Sequence, residues 1–124
     1  MQKKISLKQK KKLILQNSNN FMSNTETFGS IINGEIPVLV DFFAEWCGPC
    51  KMMPPVLTQI REKVGDKVRL IKIDVDKNPQ LASQLNVSSV PTLAIFHKGQ
   101  IKWRQSGVQP ANTLIQILNQ YIES

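Results

Sequence analysis

The stretch Val38-Leu39-Val40-Asp41-Phe42-Phe43-Ala44 limits the possible folds most sharply. It is almost unbroken apolar sequence, rich in β-branched and aromatic side chains and short enough for a strand. Such a run reads as a central strand buried on both faces. The next segment is equally restrictive. Gly48-Pro49 makes a turn, and from about Cys50 to Val64 the apolar residues Met53, Val56, Leu57, Ile60 and Val64 recur at helical spacing. Pro54 and Pro55 fall inside this helix and should bend it or break its first turns. Gly65-Asp66 closes it.

The remaining elements obey the same rules. Val68–Val75 is the next strand, and Asn78-Pro79 starts a short helix reaching about Leu85. Thr92–Phe96 is a strand, Lys98-Gly99 a turn, and Ile101–Gln105 the returning hairpin partner. Gly107 breaks the run. Pro110 opens a last helix with Leu114, Ile117, Leu118 and Tyr121 on one face. The order β-α-β-α-β-β-α implies a right-handed βαβ unit with parallel strands, then an antiparallel hairpin. A mixed sheet with helices on both faces satisfies both demands, which makes this an α/β chain.

The net charge of +7 invites a nucleic-acid reading, but the charge is unevenly placed. Residues 1–21 hold six Lys and no acid, so the body from Met22 onward carries only +1. A basic tail can touch RNA, DNA or an anionic membrane. This one has a single aromatic, Phe21, and no recognition motif, so it reads as a solvated, disordered arm, and no nucleic-acid partner is expected. The expected division is therefore a basic extension over 1–21 and one folded domain over 22–124. Ser23-Asn24-Thr25-Glu26 offers a helix N-cap at its start, translation beginning at Met22 is one possibility, and the arm is expected to be dispensable. No apolar run is long enough for a membrane span. The stretch Leu13-Ile14-Leu15 is too short for a secretory signal, and the tail lacks the Arg of a transit peptide. A reducing, cytoplasmic location and a monomeric state are the expectations.

In such a compartment a cysteine pair is catalytic or metal-binding rather than structural. Cys47 and Cys50 sit where the buried strand hands over to a helix. Backbone N–H groups at a helix N-terminus stabilise a thiolate at Cys47, and the spacing brings Cys50 within disulfide reach. The first cysteine is then the attacking group and the second resolves. The competing reading is half of a zinc site. Structural zinc usually takes four ligands, but there is no second Cys pair, and the single His, His97, is far away in sequence. Redox chemistry is the better reading, with no metal.

The segment Val40-Asp41-Phe42-Phe43-Ala44-Glu45-Trp46-Cys47-Gly48-Pro49-Cys50-Lys51 resembles the active-site segment of the bacterial thioredoxin family almost residue for residue. The likeness continues through Lys72-Ile73-Asp74-Val75-Asp76, Val90-Pro91-Thr92-Leu93 and Gly107, over about residues 25–122. It implies a thioredoxin-like α/β fold, a central mixed sheet of four or five strands flanked by helices. Many family members have a strand before the first helix. Here only Asn20-Phe21-Met22-Ser23 occupies that place, a poor strand, so four strands are expected.

The resemblance also implies site roles. Asp41 would lie buried behind the disulfide and help move the proton of Cys50. Lys72 would be partly buried and tune Asp41, although the residues alone fit an exposed strand lysine equally well. Val90-Pro91 would be a cis peptide, with the Val90 backbone offered to the substrate chain. Trp46, Gly48, Pro49, Val90, Pro91 and Gly107 would form an apolar docking surface. Phe43 departs from the family's usual Trp, with little consequence expected, and Pro54 beside Pro55 is a further departure. Trp103 reads as packing and His97 as a surface residue.

The implied activity is reduction of disulfide-containing protein substrates, with no bound cofactor and recycling by a flavin-containing thioredoxin reductase that uses NADPH. An oxidant or isomerase of the same fold is the second reading, disfavoured by Gly48-Pro49 and the missing signal. Potentials of about −270 mV for thioredoxin and about −120 mV for a strong oxidant separate the two. A third reading, a rigid binding subunit, predicts that Cys47→Ser leaves function intact.

Overall fold

The apolar run forms β1 (Val38–Phe43), and its first five residues are completely enclosed. In the computed structural model, which describes residues 27–122, β1 lies between two partners. It pairs in parallel with β2 (Arg69–Asp74) on one side and antiparallel with β3 (Thr92–His97) on the other. β4 (Gln100–Ser106) completes a sheet of order β2-β1-β3-β4 as the hairpin partner of β3. The described residues thus hold a four-stranded mixed sheet. The segment 20–23, the proposed cap at 23–26 and the tail 1–21 lie outside them.

Capping and proline placement decide where the helices begin. A first helix, α1 (Phe28–Ile32), precedes β1 and is capped by Thr27, whose side chain accepts the Ser30 N–H at 3.1 Å. After β1, the segment Pro49–Met52 is a 3-10 turn, and α2 proper spans Met53–Val64. The reason is chemical. Pro54 and Pro55 have no N–H, so the carbonyls of Cys50 and Lys51 cannot receive α-helical hydrogen bonds. Cys50 C=O instead accepts from Met53 N–H, one residue closer. The prolines then occupy the first turn of α2, where missing donors cost nothing. α3 (Pro79–Gln84) and α4 (Ala111–Ile122) complete the set among the described residues.

The sheet divides the core in two. α2 and α4 cover one face, where Met53, Ile60, Leu114 and Leu118 pack on Leu39, Leu93 and Ile95, with Trp103 at the margin. α1 and α3 cover the other, where Ile31, Val40, Phe42, Ile73 and Phe96 are enclosed. Trp103 is therefore a packing residue, as expected. His97 is not the surface residue its place beside a turn suggested. β3 runs one residue further than its sequence pattern, and the His97 ring is buried against Tyr121 at 5.6 Å. Its Nε2–H donates to the Glu35 carbonyl at 3.1 Å, which satisfies the buried nitrogen.

Leu118 is fully buried in the α2–α4 layer, whereas its neighbour Asn119 is exposed. Leu118→Ala is expected to lower unfolding free energy by about 2–5 kcal/mol and Asn119→Ala by less than about 0.5 kcal/mol, measured by urea denaturation.

Candidate active site

Parallel and antiparallel pairing together place the site. β2 runs with β1, so the ends of both strands reach the same edge of the sheet. β3 runs against β1, so its beginning lies there too, with Thr92 opposite Phe42. Ser106, the last residue of β4, pairs with Thr92. Four segments far apart in sequence therefore meet at one edge: the turn after β1, the turn after β2, the approach to β3 and the exit from β4. They contain Trp46 to Cys50, Asp76, Val90-Pro91 and Gly107.

Cys47 and Cys50 are joined in a disulfide with Cα atoms 5.4 Å apart. Both residues are almost fully enclosed, among Ala44, Phe43, Val75 and Val90. The Cys50 N–H donates to Cys47 Sγ at 3.1 Å, which aims a backbone dipole at the first sulfur and not the second. Cys47 Sγ also lies 3.6 Å from the Val90 carbonyl oxygen. The Val90–Pro91 bond is cis. Gly107 has φ +93°, a left-handed conformation suited to glycine, and its N–H donates to the Pro91 carbonyl at 2.8 Å. Val90, Pro91 and Gly107 thus form one connected wall beside the disulfide. Trp46 stands at the rim, 72 % exposed, next to exposed Gly48 and Pro49. Every residue named for the docking surface is at this edge.

Asp41 is fully buried in β1, and neither carboxylate oxygen has a hydrogen-bond partner. It points to the side of the sheet that α2 covers, because it lies two residues beyond Leu39 on the same strand. Burial pushes its pKa up from 3.8 to about 6, and the charge of Lys72 holds back part of that rise. Lys72 is paired with Asp41 in the parallel register. It is exposed, not partly buried: β2 is the outer strand of the sheet among the described residues, and the ammonium reaches over the Phe43 ring at 4.6 Å from its centroid. Phe43 therefore gives Lys72 an aromatic face as well as lining the cysteines.

Four polar residues at the rim were given no role by the sequence reading. Asp76 Oδ2 accepts the indole N–H of Trp46 at 2.8 Å. Asp74 Oδ1 accepts the N–H groups of Asp76 and Lys77 at 2.9 and 3.2 Å, folding the turn that presents Asp76. Lys77 and Glu45, both exposed, are 3.7 Å apart across the two turns. The polar run Asp74-Val75-Asp76-Lys77-Asn78 after a strand is a turn signature, but only the parallel pairing shows that it faces Trp46. Among the described residues no group of three or more His, Cys, Asp or Glu is placed to hold a metal ion.

The raised pKa of Asp41 carries a sign. The native state holds this proton more tightly than the unfolded chain does, so stability falls as pH rises from about 4 to 6 and stays low above that. The oxidised Asp41→Asn chain should escape this loss. It is expected to be more stable than wild type at pH 7 by on the order of 3 kcal/mol, with the gain vanishing below about pH 4. Guanidinium unfolding at the two pH values checks it; a gain that persists unchanged in acid would remove ionisation as its cause.

Known proteins are similar to this chain in sequence and fold. The Thioredoxin family model matches residues 19–120. The chain is 36% identical to a thioredoxin of Rickettsia prowazekii over 103 residues, covering 83% of this chain and 98% of that one. It is 48% identical over 86 residues to a thioredoxin-like protein of Synechocystis, covering 69% and 82% respectively. Among solved structures, a mutant thioredoxin from Halobacterium salinarum superposes with a TM-score of 0.70 at 38% identity, over 77% of this chain and 83% of that one. Sequence, fold and disulfide agree, and the chain belongs to the thioredoxin family of protein-disulfide oxidoreductases, exchanging disulfides through Cys47 and Cys50.

Proposed function

We propose that this chain is a general protein-disulfide reductant in which Cys47 attacks and Cys50 resolves. The observation that carries this division of roles is the Cys50 N–H directed at Cys47 Sγ. After reduction that donor favours the thiolate at Cys47, which is the nucleophilic form. Exposed Trp46, Gly48 and Pro49 flank the disulfide, so a substrate chain can approach along this side.

The reaction balances in two steps. The Cys47 thiolate attacks one sulfur of a substrate disulfide, forms a mixed disulfide and releases the other substrate sulfur as a thiolate. Cys50 loses its proton and attacks Cys47 Sγ. The Cys47–Cys50 disulfide forms, and the second substrate thiolate leaves. Two electrons have passed from the protein to the substrate. Asp41 is the group suited to take the Cys50 proton: it lies on the α2 side of the sheet, and its raised pKa brings it within reach of neutral pH. Lys72 limits that rise and keeps the carboxylate available as a base. The Val90 backbone receives the substrate chain, and Trp46, Gly48, Pro49, Pro91 and Gly107 provide its apolar bed.

The chain's own groups suffice for exchange, so no bound cofactor is needed. Recycling falls to thioredoxin reductase and NADPH, and a reducing compartment such as the cytoplasm suits a dithiol that must be kept reduced. Among the described residues no helix is long and apolar enough to cross a membrane. Residues 1–21 are read as not needed for exchange; the family match leaves residues 1–18 outside it and includes 19–21.

With reductase and NADPH, wild type is expected to reduce insulin disulfides, and Cys47→Ser to lose at least about a hundredfold in rate. Equal rates in the two proteins would overturn the assignment. In the reduced protein iodoacetamide should label Cys47 before Cys50, and the reverse order would exchange their roles. A chain beginning at Met22 should melt and reduce insulin as the full chain does. A marked drop in melting temperature would mean that the preceding residues belong to the fold.

A further inference from the structure

The wall that receives the substrate is a loop, residues 85–91, and loops need something to hold them. Its first end is built by the close of α3. Val87 N–H donates to Ala82 C=O at 2.8 Å and Asn86 N–H to Ser83 C=O at 3.0 Å, with Asn86 left-handed at φ +56°. That arrangement leaves the carbonyls of Leu85 and Asn86 pointing away from the helix. Both accept from the guanidinium of Arg104 on β4, through Nη1 and Nη2 respectively.

The second end is held two residues further along β4. Ser89 Oγ–H donates to Ser106 Oγ at 3.0 Å, and Thr92 Oγ1–H donates to the Ser89 carbonyl at 2.6 Å. Ser106 and Thr92 oxygens are 3.3 Å apart. A hydroxyl has one hydrogen, and that of Thr92 is already committed to Ser89 C=O, so Ser106 must be the donor to Thr92. The three hydroxyls therefore form a closed ring: Ser89 to Ser106, Ser106 to Thr92, and Thr92 back to the Ser89 carbonyl. The ring fixes the Ser89–Val90 peptide plane, and Val90 is the residue whose backbone faces Cys47 Sγ.

Arg104 and Ser106 are two apart on one strand, so they project to the same face. Their partners in the register, Ala94 and Thr92, are likewise two apart on β3. We propose that Arg104 and Ser106 are positioning residues: β4 clamps the substrate-receiving loop at both ends, and Ser106 sets the orientation of the Val90 backbone for docking of a peptide substrate. This rests on the reading of the chain as a protein-disulfide reductant. The clamp touches neither sulfur, so it should affect substrates that dock through a peptide backbone and spare those that do not.

The test compares insulin with hydroxyethyl disulfide, a small disulfide with no peptide chain, using dithiothreitol as terminal reductant. The variants are Ser106→Ala, Ser106→Thr, Arg104→Leu and the double Ser106→Ala/Arg104→Leu. Ser106→Ala, which removes the Ser89–Ser106 and Ser106–Thr92 hydrogen bonds, is expected to raise KM for insulin about two- to tenfold, with kcat nearly unchanged. The rate with hydroxyethyl disulfide and the rate of Cys47 alkylation should stay at wild-type values. Ser106→Thr keeps the hydroxyl and should restore the insulin KM. Amide hydrogen exchange in residues 86–90 should quicken in Ser106→Ala and Arg104→Leu and most in the double variant. An unchanged insulin KM in Ser106→Ala, or an equal loss on both substrates, would overturn the clamp while leaving the reductase reading intact. A wild-type chain inactive on both substrates would overturn that reading instead, and the docking role with it.

Discussion

β1 has no free edge and no free face. Its backbone is committed to β2 on one side and β3 on the other, and helices cover it above and below. Because its two neighbours run in opposite directions, the end of β1 is met by the end of one strand and the beginning of another. The site is the product of that geometry. A turn leaving β1, a turn leaving β2 and a loop entering β3 have nowhere to go but the same edge, and Cys47, Asp76 and Val90 are the residues they carry there.

The same burial that makes β1 a good scaffold makes Asp41 expensive. A carboxyl enclosed without a hydrogen-bond partner is a loss a purely structural strand would avoid, and Val or Leu would fit the surrounding pattern. Desolvation and the Lys72 charge push its pKa in opposite directions, and the outcome, about 6, lies closer to neutral pH than that of an ordinary carboxyl. The stability lost at this position and the chemistry available from it have one cause.

Much of the molecule was legible in the sequence, for reasons particular to each element. The unbroken run at Val38–Ala44 announced an enclosed strand, and the periodicity of Met53 to Val64 announced the helix after it. The Cys47–Cys50 spacing declared its own chemistry. Where the reading fell short, the missing information was pairwise. Nothing local to His97 shows that Tyr121 and Glu35 will enclose it. Lys72 could not be placed on the outer strand of the described sheet until the strand order was known. Asp76 and Trp46 are thirty residues apart, and their hydrogen bond exists only because β1 and β2 are parallel. The helix start near Cys50 was displaced to Met53 by two prolines whose effect was foreseen as a break but whose result, a 3-10 turn that keeps Cys50 N–H on Cys47 Sγ, depends on the backbone geometry of the whole turn.

The disulfide closes a ring only three residues apart in sequence. A crosslink restrains the unfolded chain in proportion to the logarithm of the loop it closes, and for so short a loop the effect is about 2 kcal/mol, a minor part of the roughly 5–15 kcal/mol that holds a typical domain together. A bond that knits distant elements could not be opened at every turnover without loosening the architecture around it. This one lies within a single turn, so opening it removes no link between the sheet and its two helical layers. The protein can therefore serve as a reusable carrier of electron pairs, with its durability vested in the packing and its reactivity confined to a turn.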